Sequence, residues 1–118
     1  MGKKTEKIAV ASSDGIVVNR HFGHADKFYI YETEDDDIRL LETRRVEPVC
    51  QGGNHDEKRL GENMDKIQDC TYLLVSKIGY GAVAAAEERG IMPYEIPGII
   101  EESVQQLLNY IKIEKLFD

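Results

Sequence analysis

The chain has little cysteine: Cys50 and Cys70 are its only thiols in 118 residues. That is too few for a disulfide framework, so each must be read as a ligand, a nucleophile or a core residue. Long apolar runs are also missing. Nothing approaches the roughly 20 residues that span a bilayer, and the opening Met1-Gly2-Lys3-Lys4-Thr5-Glu6-Lys7 lacks the apolar stretch of a secretory signal. These absences predict a cytoplasmic protein with reduced thiols and no membrane partner. Positive charge is in deficit, with 15 basic against 22 acidic side chains and a net charge of −7. A surface that repels polyanions on average predicts no nucleic-acid partner.

What is present is ordinary globular composition, 42% hydrophobic and 31% charged, in a chain too short for two cores. A single domain over residues 1–118, with its core at about 7–116, is expected. Lys7-Ile8-Ala9-Val10-Ala11 reads as a first strand that ends in the turn Ser12-Ser13-Asp14-Gly15. From Lys27 to Glu34, Phe28 and Ile30 share one face and Tyr29, Tyr31 and Thr33 the other, as a strand requires. A turn at Asp35–Asp37 leads back through Ile38 to Val46, which predicts an antiparallel hairpin with a solvated acidic tip.

After the break at 48–53, Asn54 is positioned to cap a short helix with Glu57 at its third position, and Leu60, Met64 and Ile67 repeat at helical spacing. Gly61 weakens that helix. Thr71 to Ser76 reads as a buried strand, Ile78-Gly79-Tyr80-Gly81 as a turn into an Ala-rich helix ended by Gly90, and Ile91 to Ile96 as another strand. Val104, Leu107, Leu108, Ile111 and Leu116 mark a last amphipathic helix. The order β, ββ hairpin, α, β, α, β, α predicts a three-layer α/β/α fold. Its five-stranded sheet is mixed, with loop mouths clustered at the ends of the first and fourth strands.

Three loops could carry chemistry. In Asn19-Arg20-His21-Phe22-Gly23-His24 two imidazoles, common metal ligands near neutral pH, flank a glycine that lets a bulky ligand approach the backbone. In Cys50-Gln51-Gly52-Gly53-Asn54-His55 a thiol beside a helix start is a candidate soft-metal ligand, with His55 at its side. If the two loops met, Cys50, His55, His21 and His24 would number the four ligands that zinc wants. The same Cys–His pair as nucleophile and base lacks a third orienting residue. Cys70, directly before an apolar strand, reads as a buried hydrophobe. At Gly79 and Gly81 two readings stand: exposed amides that hold an anion, or close packing of the helix on the sheet.

Taken together, Ile8-Ala9-Val10-Ala11-Ser12-Ser13-Asp14-Gly15, Val18-Asn19-Arg20-His21-Phe22-Gly23, Phe28-Tyr29-Ile30-Tyr31, Asp69-Cys70, Leu73-Leu74-Val75, Ile78-Gly79-Tyr80-Gly81-Ala82 and Glu88-Arg89-Gly90-Ile91 resemble the dinitrogenase iron–molybdenum-cofactor-binding family over roughly residues 7–111. That family includes NifX-like carriers and the C-terminal domain of NifB-type proteins. The resemblance implies a ribonuclease-H-like fold and a role in nitrogen fixation. It also implies binding of the iron–molybdenum cofactor, or a related Fe–S or Mo cluster or precursor, for storage and delivery to or from a cofactor-donor or acceptor protein. The implied ligands are His21 first, then Cys50, His55 and His24, with amides at Gly23, Gly53 and Gly81 offsetting cluster charge.

The chain is therefore expected to be a carrier and not an enzyme. A protein-interaction or regulatory domain that keeps the fold without binding a cluster is the alternative. A ribonuclease-H-type nuclease needs converging carboxylates, and the first strand has none; Asp14 lies beyond it in the turn.

Overall fold

The computed structural model describes residues 5–51 and 54–117, excepting the side chains at 50, 51, 54 and 55. Its centre is a five-stranded sheet of β1 (Thr5–Ala11), β3 (Lys27–Glu34), β4 (Asp37–Arg45), β7 (Tyr72–Val75) and β8 (Met92–Glu95) in the order β4-β3-β1-β7-β8. β1 pairs antiparallel with β3 and parallel with β7, and β7 pairs parallel with β8. The mixed sheet follows from its connections. The hairpin forces antiparallel pairing, while helical crossovers return the chain in the same direction.

Alternation along the strands divides the core in two. Ala9, Ala11, Phe28, Ile30, Leu73 and Val75 face α1 (Glu57–Asp65) and α2 (Tyr80–Glu88). Ile8, Val10, Tyr72 and Leu74 face α3 (Ile100–Leu116). Phe28 is fully buried, with its ring centroid 5.6 Å from that of Phe22. Burying one such side chain contributes about 1.5–3 kcal/mol, so this pair anchors the 21–24 loop to the sheet.

The β3–β4 hairpin closes through a two-residue turn, Asp35-Asp36, with Asp35 at φ 57, a left-handed conformation that Asp tolerates better than most residues. Pairing slips between Ile30, opposite Glu42, and Tyr31, opposite Leu40, leaving Leu41 as a bulge. The tip is exposed, as its charge predicts, yet its carboxylates are not merely solvated. Lys112 Nζ donates to Asp36 at 2.6 Å and Arg39 to Glu32 at 2.7 Å.

Two expectations are corrected. The cap of α1 is Asp56, whose carboxylate accepts from the Arg59 N–H, and Glu57 is the first helical residue. Asn54 instead belongs to a small ribbon in which β5 (Cys50–Gln51) pairs with β6 (Asn54–His55), so its backbone is extended. Leu116 does not share the buried face of α3: that face ends at Ile111, and Leu116 is exposed because the helix runs on past the core. Sequence reading missed one further ribbon, β2 (Val17–Val18) with β9 (Gly98–Ile99), too short to show a period. Among the described residues no helix is long and apolar enough to cross a membrane.

Candidate functional site

The 19–24 loop is stitched to the loop that follows β7. The Arg20 N–H donates to the Ala11 carbonyl at 3.4 Å, the Ser76 N–H to the Arg20 carbonyl at 3.0 Å, and the Phe22 N–H to the Lys77 carbonyl at 3.0 Å. His21 thereby forms a parallel bridge with Lys77 just past the ends of β1 and β7. Phe22 plugs into the core and starts the 3-10 turn Phe22–His24, which turns His21 and His24 outward. Their ring centroids lie 5.7 Å apart. The buried aromatic is what fixes the spacing of the two imidazoles.

Beside them opens a cavity of about 310 Å³. Its wall carries His21, His24 and Lys77 among apolar Phe22, Val49 and Leu60, and Gly23, Gly79 and Gly81 also line it. α2 begins here. Its cap, Gly79, supplies no side-chain bond, so the first amides of the helix keep their partial positive charge for the cavity. On the flank, Glu95 Oε2 accepts from the Ile78 N–H at 2.8 Å and holds the turn in place. A pocket with two imidazoles, an ammonium and helix amides is suited to an anion that also accepts nitrogen ligands.

A Cβ built on Gly79 or Gly81 would meet nothing within 4 Å. Close packing against a neighbour therefore does not account for these glycines.

The structure brings His21, His24, Gly23 and Gly81 to one cavity. The Cys50–Gln51 backbone lies against the Phe22–His24 turn and pairs Cys50 with His55, so the two loops meet at the same end of the sheet. The assignment of Gly53, like the side chains of Cys50 and His55, lies outside the described residues. Among the described residues no group of three His, Cys, Asp or Glu side chains is placed to hold a metal ion. Of the described His, Cys, Asp and Glu side chains, the cavity is lined by His21 and His24. Lys77 and Leu60 were missed from sequence as site residues; the signal for Lys77 was its place in the mouth after the fourth main strand.

Two other candidates resolve into structural roles. Cys70 is buried in the core, and burial with the neighbouring Asp69 charge pushes its thiol up to about 12. Asp14 is an exposed turn residue whose Oδ1 accepts from the Ile16 and Val17 N–H groups at 2.8 and 3.1 Å, which holds its carboxyl below the usual range.

Known proteins share both the sequence and the fold of this chain. The sequence is 41% identical over 103 residues to the FeMo cofactor biosynthesis protein NifB of Frankia alni, covering 85% of this chain and 20% of that protein. It is 37% identical over 95 residues to the protein of the same name from Bradyrhizobium diazoefficiens, covering 80% and 19%. The chain thus spans about a fifth of the length of these curated relatives. The fold superposes on the crystal structure of PH0822 with a TM-score of 0.66 at 22% identity, covering 87% of this chain and 90% of the other. The signature of the family described as dinitrogenase iron-molybdenum cofactor matches residues 4–110, and the chain belongs to that family.

Proposed function

We propose that this chain binds an anionic iron–sulfur-type or molybdenum-containing cluster, or its precursor, as cargo, and stores or delivers it during nitrogenase cofactor biosynthesis without itself catalysing a reaction. The observation that carries the reading is the cavity in which His21 and His24 stand beside Lys77 and the open start of α2. Imidazole nitrogens ligate iron at the cluster edge, the ammonium and amides offset its negative charge, and Phe22, Val49 and Leu60 keep water from one side. The family likeness suggests Cys50 and His55, on the adjoining ribbon, as further ligands. Delivery requires a donor or acceptor protein, and a cytoplasmic setting suits both. The main strands, counted in chain order, run 3-2-1-4-5 with the second antiparallel to its neighbours, and this supports the ribonuclease-H-like assignment.

The test is anaerobic incubation with iron, sulfide and molybdate, or with isolated cofactor, followed by iron analysis and absorption spectroscopy. Wild type should retain iron, His21→Ala should lose most of it, and Cys50→Ala should lose less. Equal iron per chain in wild type and His21→Ala would refute the ligand assignment. The second reading is an interaction domain that keeps the fold without cargo. It would be supported if wild type retained no iron from either source.

A further inference from the structure

β4 is nine residues long and ends one side of the sheet. Among the described residues it pairs with β3 alone, so every second residue points its N–H and C=O outward. Such an edge is a template for a further strand, and proline, which would block one, is absent from it. Its inner pairing is electrostatically poor at both ends. Glu34 stands opposite Asp37 and Lys27 opposite Arg45, and like charges directly opposite disfavour a strand pair. An outer strand with a cation beside Asp37 and an anion beside Arg45 offsets both.

We infer that this outer strand is β4 of a second copy, joined antiparallel about a two-fold axis that passes between Leu40 and Leu41. In this register Arg39 faces the partner's Glu42, Asp37 the partner's Arg44, and Arg45 the partner's Asp36 in the turn. Leu40 meets Leu41, and Ile38 meets Thr43. Every charge from residue 36 to residue 45 thus meets its opposite. The bulge is what permits the register. Opposed residues must share a face of the sheet, and in a regular strand positions 39 and 42 do not. Here they do, because Arg39 is opposite Glu32 and Glu42 opposite Ile30, two residues on one face of β3, with Leu41 as the extra residue between. The same holds for Asp37 with Arg44, opposite Glu34 and Phe28. Several of these charges already have partners: Arg39 bonds Glu32, Arg44 bonds Glu42 and Asp69, and Asp36 accepts from Lys112. Those bonds reach back onto the chain itself, and the Arg39 and Glu42 side chains remain 72% and 51% exposed. One two-fold axis uses each edge once and leaves none open for chain growth. No residue of β4 lines the histidine cavity, so the dimer leaves that mouth clear.

Sedimentation equilibrium of the full chain without any metal, from micromolar to millimolar concentration, tests this independently of the cargo reading. Wild type should be a concentration-dependent dimer, and hydrogen exchange of the β4 amides should slow as the dimer forms. Arg39→Glu and Glu42→Lys should each raise the dissociation constant roughly tenfold, since each sets like charges together twice across the axis. An equal mixture of the two variants should form a heterodimer with a dissociation constant within about threefold of wild type, because every contact is again between opposites. Recovery on mixing also shows that both variants are folded. A wild type that stays monomeric to millimolar concentration, a dimer indifferent to Arg39→Glu, or variants that fail to pair on mixing would overturn the inference. So would β4 amides that gain protection from a different protein and not from a second copy.

Discussion

Arg44 on β4 grips Asp69 in the loop before β7 with both terminal guanidinium nitrogens, Nη1 and Nη2, at 2.6 and 2.9 Å. The same side chain donates to the Lys66 carbonyl at 2.8 Å and pairs with Glu42, and Lys7 adds a second cation to Asp69 at 3.1 Å. The clamp ties the hairpin to the connection between α1 and β7. Arg44 holds the Asp69 carboxyl well below the usual carboxylate range.

Because that carboxyl is depressed in the folded state, its contribution is complete above the unfolded carboxylate value and is lost as pH falls below it. Arg44→Met should therefore cost about 1 kcal/mol at neutral pH, kept small because Asp69 is solvent-accessible. The loss should shrink in acid. Urea titrations of both proteins at neutral and acid pH check this; a loss that does not vary with pH would mean that packing of the Arg44 stem matters more than its charge.

Gly15 sits at φ +78, and a Cβ there would come within 2.9 Å of the Tyr29 ring. Gly15→Ala should lower stability by about 1–2 kcal/mol through both strain and contact. Tyr29→Leu in the same background should recover part of the loss, measured by thermal melts of the single and double variants.

Gly79→Ala and Gly81→Ala should leave thermal stability nearly unchanged, since neither Cβ meets a neighbour. If cargo approaches the amides at the start of α2, both should weaken iron retention in the anaerobic assay. A marked fall in melting temperature would restore the packing explanation for these glycines.

Cys70, with its thiol pushed up to about 12, should resist a thiol reagent in the native state and react only on unfolding. The measurement is best made in a Cys50→Ala background so that one thiol reports. Burying the neutral thiol contributes stability below the unfolded thiol value, and this declines as pH rises from there towards the folded value. Native labelling of Cys70 at neutral pH as fast as in denaturant would contradict its placement in the core.

The main elements were legible because each carries a local signal. Phe28 and Ile30 alternate with Tyr29 and Tyr31 along β3, Val104 to Ile111 repeat at helical spacing, and Gly90, at φ +75, stops α2 as only a residue without Cβ readily can. Local signals misled where two were available. Asn54 and Asp56 are both cap residues, and backbone pairing of Gln51 with Asn54 decided between them.

The sequence by itself determined the order of strands and helices, the mixed sheet and the identity of the histidine loop, since period and residue type act within a few neighbours along the chain. Only the tertiary structure decided that His21 stands against Lys77, residues far apart in sequence whose backbones meet through the parallel pairing of β1 and β7. It alone showed that Gly79 and Gly81 face open space rather than a packed neighbour, and that α3 overruns its core after Ile111. Cavities and overhangs depend on where separate elements end relative to one another, and no window of residues encodes that distance.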